Sequence, residues 1–394
     1  MSISILERPR SSESAKPSVG GTLGDAALLV GERAVADIPA DAGALGDGAE
    51  KPFTAEARGS RLATDAPSSS ASASSSASGQ GRGVVAEANR CERPAVEGSL
   101  SLRDAITMTK PRIVTMIVIT TVATTMTAMA IVNVPASLTI LDWMALLVGT
   151  ALVAAAAGTA NQWMERGLDA QMSRTANRPP ASGRVSRLAA WIQTGFALAG
   201  GAGMIVGAAG WQPAFWAVAT FVAYVAFYTP MKTRTSWNTT VGAIAGAMPV
   251  WIGYAAGGGT LADPVAWLLF GLMMAWQYPH FMAIAWLYRR QYAAAGFRMS
   301  TTEDPTGRSA GWQAIVGSLV VMACGVVWAL GHHAWPVAIA TAAIMMAAAL
   351  PMLIRSKRFL AVANDVSARS LLRSSLLVLP IMLLIGTLGC WLST

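Results

Sequence analysis

From about residue 100 onward the chain is a series of long apolar runs separated by short polar joints. A helix that spans a bilayer needs about 20 mostly apolar residues. Nine runs qualify, near 113–132, 143–164, 188–209, 212–229, 239–257, 264–288, 311–330, 335–354 and 371–392. The third and fourth are joined by a very short turn around Gly210 and Trp211. Nothing in these runs alternates with the period of two that a strand would show. The pattern therefore predicts an all-α membrane protein with nine transmembrane helices. The first hundred residues break the pattern. "SSSASASSSASGQGRG" (Ser68–Gly83) has the composition of a flexible linker, and its surroundings carry too little apolar content for a core. Residues 1–100 are expected to be a disordered, low-complexity N-terminal tail, and 101–394 a single membrane domain.

Composition sharpens this division. The chain is 54% hydrophobic and 13% charged, where soluble domains carry about 25% charged residues. The tail holds ten basic and thirteen acidic residues, a balance of −3, which leaves +11 for the rest. The tail lacks the basic start and apolar run of a secretory signal, and its acids argue against a mitochondrial presequence. Charge also orients the bundle. The joint after the second run holds Arg166, Arg174, Arg178, Arg184 and Arg187, and that after the fourth holds Lys232 and Arg234. The sixth is followed by Arg289, Arg290, Arg298 and Arg308, the eighth by Arg355, Lys357, Arg358 and Arg369. The alternate joints, such as "GGGTLADP", contain no Lys or Arg. By the positive-inside rule the N-terminus is cytoplasmic and the C-terminus outside, and the expected location is a bacterial inner membrane rather than the mitochondrial inner membrane. Cys91, Cys324 and Cys390 stand too far apart for metal or redox spacing. No nucleic-acid partner is expected.

The candidate chemistry lies at the basic end. In "NQWMERGLDAQMSRTANRP" (Asn161–Pro179), Asn161, Glu165 and Asp169 are spaced by four and form one ridge on a helix. Hard oxygen donors on such a ridge suit Mg²⁺, which binds through one or two carboxylates plus substrate phosphates. A solvated helix end, its two acids neutralising nearby arginines, is the competing reading of the same spacing. Arg166, Arg174 and Arg178 exceed what two acids need, and an Arg surplus suits a diphosphate. Tyr228, Lys232, Arg234 and Asn238 repeat the theme after the fourth run, where topology-setting charge is the alternative. Lys110 and Arg112 flank Pro111 and would complete a phosphate face or serve as snorkelling anchors. His280, beside Pro279 and among Trp276, Tyr278 and Phe281, lies about 12 Å inside the sixth run at 1.5 Å per residue. It would form a cavity wall, or else bond a neighbouring helix.

"NQWMERGLDAQMSRTANRPPASGRV" resembles the first acidic motif of the intramembrane UbiA-type prenyltransferase superfamily. "TKPRI", "ERGLDAQMSRT", "YTPMKTRTSWNTTVGAIAGAMP" and "PHFMAIAWLYRRQYAAAGFRM" together resemble its protoheme IX farnesyltransferase family, the heme O synthases. The resemblance covers about residues 100–394. It implies nine helices around a central cavity open to lipid, farnesyl diphosphate and heme B as substrates, and Mg²⁺ as cofactor. The product would be heme O, for terminal oxidases, with a downstream heme A synthase or oxidase assembly proteins as partners. By the same resemblance Asn161, Glu165 and Asp169 hold the metal; Lys110, Arg112, Arg166, Arg174, Arg178, Lys232 and Arg234 hold phosphate oxygens. Tyr228, Asn238, Trp276 and Tyr278 line the heme or prenyl cavity, with His280 near heme. One departure stands out. Where the family keeps an acid just before the Tyr after the sixth helix, this chain has Gln291, which puts a second Mg²⁺ in doubt; Glu303 and Asp304 would substitute or simply form a turn. Prenylation of an aromatic quinone precursor and non-catalytic heme handling remain rival readings. A secondary transporter fits poorly, because the charge lies at one face rather than the midplane.

Overall fold

A computed structural model describes residues 100–132, 135–332 and 334–393. The tail expected over 1–100 lies outside the described residues, apart from Leu100. Among the described residues there are helices and turns but no strands. Nine helices are long and apolar enough to cross a membrane: Pro111–Ile131, Ile140–Met164, Arg187–Ala209, Trp211–Met231, Asn238–Ala256, Pro264–Leu287, Arg308–Gly331, Trp335–Ala361 and Asp365–Trp391. They are called the first to ninth spans below.

Two boundaries differ from the apolar pattern. The eighth span runs to Ala361 and the ninth starts at Asp365. Apolarity stops at Arg355, but the backbone does not, because Lys and Arg are good helix formers and favour the last turn of a helix dipole. Asn364 then caps the ninth span by accepting from Ser367 N at 2.8 Å, while Ser367 Oγ accepts from Asn364 N. The short turn between the third and fourth spans reduces to Gly210, whose φ of 86° a side chain would resist.

Close helix approach shapes the bundle. A Cβ on Gly149 in the second span would lie 2.7 Å from the Gly201 carbonyl in the third, and one on Gly201 would lie 2.6 Å from the Gly149 carbonyl. The two backbones touch because neither residue has a side chain, the usual device for membrane helices. The largest apolar core gathers Leu269, Leu272 and Met282 of the sixth span, Trp328 of the seventh, Met345 and Met352 of the eighth, and Leu371 and Met382 of the ninth. The sixth span stays helical through Pro279. The carbonyl that Pro279 deprives of a donor, Ala275 O, faces Gly317 of the seventh span, where an added Cβ would come within 2.7 Å.

The fourth span ends unusually. Ala223–Tyr228 forms a π-helical turn, and Thr229 Oγ1 donates back to Tyr224 O at 2.9 Å. Such widened turns occur mostly at functional sites. This one turns Tyr228, Thr229 and Lys232 toward the end of the second span.

Candidate active site

At the end of the bundle where the second span stops, a cavity of about 90 Å³ is lined by Lys110, Asn161, Glu165, Asp169, Arg174, Arg178, Tyr228 and Lys232, with Met172, Tyr292, Phe297 and Met299. Asn161, Glu165 and Asp169 are buried. The ridge they form is bent: the second span ends at Met164, Glu165 is its cap, and a short turn Arg166–Asp169 follows. Asp169 N still donates to Glu165 O at 2.8 Å, so the spacing of four survives the bend.

Each member of the ridge meets one cation from a different part of the chain. Lys110 Nζ donates to Asn161 Oδ1, while Asn161 Nδ2 donates to Thr229 Oγ1 at 3.1 Å. Lys232 Nζ lies 2.6 Å from Glu165 Oε1 and 4.5 Å from the centre of the Tyr228 ring. Arg178 donates one nitrogen to both Asp169 oxygens, at 2.7 and 2.9 Å. Thr175 Oγ1 donates to Asp169 O at 2.9 Å and folds the arginine loop back over the ridge. Arg174 lies 4.5 Å over the Tyr288 ring, with Tyr292 Oη 3.4 Å from its NH2.

Electrostatics follow from this packing. Burial pushes the Glu165 carboxyl up, but Lys232 and Lys110 pull it down further, so it ends below the usual carboxylate range. Burial works against the Lys232 charge too, yet Glu165 outweighs it and the ammonium is held above the ordinary lysine value. Lys110 goes the other way: burial lowers it, Arg178 and Lys232 add to the effect, and Tyr224 and Glu165 only partly offset them. Lys110 is also the single non-glycine residue with positive φ among the described residues, at 54°. A left-handed residue costs roughly 1–2 kcal/mol, and such strain collects at functional sites.

Not every expected residue joins this cavity. Arg112 is exposed on the first turn of the first span. Arg166 is exposed, stacks at 4.4 Å on Trp163 and donates to its carbonyl. Arg234 is exposed, and its carbonyl accepts from Arg298 at 3.2 Å. Asn238 is buried but serves the loops: its amide nitrogen donates to Thr235 O and Arg298 O. Trp276, Tyr278 and His280 sit within the sixth span: Tyr278 Oη donates to Thr240 Oγ1 at 3.1 Å and Trp276 Nε1 to Ser375 O at 2.6 Å. Gln291 does not line the cavity, and its buried Oε1 has no partner among the described residues. Asp304 accepts from Thr306 N and Ser309 N, so the segment with Glu303 is a turn.

Sequence reasoning passed over Thr229, Tyr288, Tyr292 and Phe297. Tyr288 and Tyr292 share a helix face by their spacing of four, and that spacing was the available signal. Phe297 and Thr229 had none, because only tertiary folding brings them to the second span.

Two carboxylates and an amide form no closed metal cage; among the described residues no group of three His, Cys, Asp or Glu is placed to hold an ion. Such an open set fits a hard divalent cation that completes its shell with phosphate oxygens and water. The five surrounding cations, Lys110, Arg174, Arg178 and Lys232 at the cavity with Arg289 paired to Asp365 nearby in sequence to Tyr288, leave the cavity itself with more positive than negative side chains.

The chain matches the model of the "UbiA prenyltransferase family" over residues 117–377. It is 52% identical over 287 residues to a protoheme IX farnesyltransferase from Rhodopirellula baltica, covering 72% of this chain and 98% of that one. Its fold is similar to the apo structure of a UbiA homologue from Aeropyrum pernix K1, with a TM-score of 0.54, 17% identity and coverage of 70% and 98%. It is similar also to a UbiA homologue from Archaeoglobus fulgidus bound to GPP and Mg²⁺, with a TM-score of 0.53, 14% identity and coverage of 73% and 99%. At those identities the solved structures speak for the fold. Nine spans, a cation-lined oxygen ridge at one end and a family match over most of the helical region agree: the chain belongs to the UbiA prenyltransferase family and is an integral membrane prenyltransferase.

Proposed function

We propose that this enzyme transfers a farnesyl group from farnesyl diphosphate to a vinyl group of heme B, giving heme O. The observation that carries the reading is the 52% identity to a protoheme IX farnesyltransferase over 98% of that protein's length. The cavity chemistry supports it. Lys110, Arg174, Arg178 and Lys232 converge where a diphosphate head would lie, and Asn161, Glu165 and Asp169 would hold Mg²⁺ against it. The metal, when bound, would offset charge that builds on the departing diphosphate.

The remaining steps belong to the chain. As the allylic C–O bond breaks, its electron pair leaves with the diphosphate, and the buried cations stabilise that charge far better than water-exposed ones would. The Tyr228 face, already bearing Lys232, is the nearest aromatic surface to that head. The vinyl carbon then bonds the allylic carbon, and water adds to the resulting cation with loss of one proton. Arg112, Arg166 and Arg234, exposed around the rim, would guide an anionic head toward the cavity rather than grip it. Trp276, Tyr278, Asn238 and His280 would stand on the acceptor side. The basic end is assigned to the cytoplasm and the enzyme to a bacterial plasma membrane, with a downstream heme A synthase or oxidase assembly proteins receiving the product.

The test is direct. Full-length protein in lipid is incubated with heme B, farnesyl diphosphate and Mg²⁺, and heme mass is followed by chromatography. A gain of one farnesyl plus one water is expected. No gain, with 4-hydroxybenzoate prenylated in parallel, would move the enzyme to the quinone branch.

A further inference from the structure

His280 is the buried titratable group that diphosphate chemistry does not use. It sits in the sixth span, half-buried, its Nδ1 3.0 Å from Ser375 Oγ in the ninth. Ser375 Oγ also donates to Leu372 O at 2.8 Å. A hydroxyl has one proton to give. With that proton committed to Leu372, Ser375 can only accept from the ring, so the proton of the neutral imidazole resides on Nδ1 and the lone pair on Nε2. Ser375 is fully buried, and its carbonyl accepts from Trp276 Nε1, whose ring stacks on His280 at 5.0 Å and 20°. One serine thus sets the tautomer and anchors the aromatic plate beneath the imidazole.

Nε2 has no hydrogen-bond partner among the described residues, and it is not among their fully enclosed, unpartnered atoms. No carboxylate bonds the ring, and an imidazolium at this depth would be an uncompensated buried charge. A neutral ring with an oriented, reachable lone pair is a metal ligand's geometry, and metal-ligating histidines characteristically donate their other N–H to an outer partner.

We infer that His280 ligates the iron of the acceptor porphyrin through Nε2, with Ser375 as the positioning residue that presents it. The inference rests on the heme reading above. It adds a dative bond from the Nε2 lone pair to iron; no proton is released, because Nε2 carries none. It also separates the two substrates: the cation-lined cavity takes the diphosphate, and the sixth and ninth spans hold the macrocycle.

The experiment titrates ferric heme B into the full-length protein in lipid nanodiscs and reads the optical spectrum. Wild type is expected to bind saturably with the spectrum of a nitrogen-ligated heme, and His280→Ala to lose that spectrum. Ser375→Ala is expected to weaken heme affinity by about 10-fold or more, the usual cost of removing a ligand's outer partner. Ser375→Thr, which keeps the hydroxyl, is expected to recover most of it. Farnesyl diphosphate binding, measured on the same samples, should match wild type in all three variants and so reports a preserved fold. Wild-type affinity and spectrum in Ser375→Ala would overturn the positioning role, and an unchanged spectrum in His280→Ala would overturn ligation. If wild type makes heme O but shows no nitrogen-ligated spectrum, the inference fails and the heme reading stands. If it neither binds heme nor makes heme O, both fail together.

Discussion

Asp169 and Arg178 show how the site combines opposite charges without neutralising itself. Asp169 is buried and receives both its contacts from one guanidinium nitrogen, which leaves the rest of the Arg178 fork for a ligand. Asp169→Ala is expected to cut turnover by about 10²–10³-fold, the scale for losing one preorganised charge-stabilising group. The protein should stay folded in the membrane, as size-exclusion profiles would check, and full activity would sink the metal-ridge assignment. Lys110 separates strain from function. Lys110→Gly relieves the left-handed backbone and should raise stability by about 1 kcal/mol, while turnover falls because the ammonium is gone. Thermal unfolding in detergent beside an activity assay reads both. Lys110 also predicts a pH limb. Burial lowers it from its model value of 10.5, so it loses its charge at lower pH than an exposed lysine as pH rises. Activity should therefore decline on the alkaline side, and Lys110→Arg, which keeps its charge, should extend that limb whatever its peak rate.

Between elements, small residues set distances. The fifth span approaches the fourth at Gly242, where an added Cβ would lie 2.6 Å from the Tyr228 ring. Gly242→Ala must move that ring, and with it the face under Lys232. The expected result is a several-fold higher KM for the prenyl diphosphate with the fold retained, measured by steady-state kinetics and circular dichroism. The second and third spans meet on Gly149 and Gly201 backbone to backbone. Gly201→Leu overpacks that contact, an error worth about 1–3 kcal/mol, and should lower thermal stability without touching a cavity residue. The π-helical turn at Ala223–Tyr228 belongs to the same scale: it directs Lys232 back to Glu165 across two spans.

The whole molecule puts its charge at one end. Every joint that carries Arg or Lys lies on the same side as the cavity, because nine spans alternate direction. Orientation can be measured with Cys91 replaced by Ser, using single cysteines at exposed positions. Ser173→Cys, beside the cavity, is expected to react with an impermeant maleimide only in opened cells, and Thr260→Cys, at the far end, in intact cells. The reverse pattern would invert the topology.

The number and place of the spans were legible in the sequence, because a bilayer accepts only long apolar helices and their composition announces them. So was the Asn161, Glu165, Asp169 ridge, since local spacing on a helix survives folding. Helix ends were less legible, because caps such as Asn364 act through the backbone and not through hydropathy. The charged residues themselves were visible, but their division was not. Arg166 and Arg178 look alike in the sequence, yet one lies over Trp163 and the other on Asp169. Which cation enters the cavity depends on where a loop folds back. That Lys110, Lys232 and Arg178 each meet one ridge residue, and that Ser375 fixes the face His280 presents, only the tertiary structure decided, since contacts between distant segments exist only once the spans have packed.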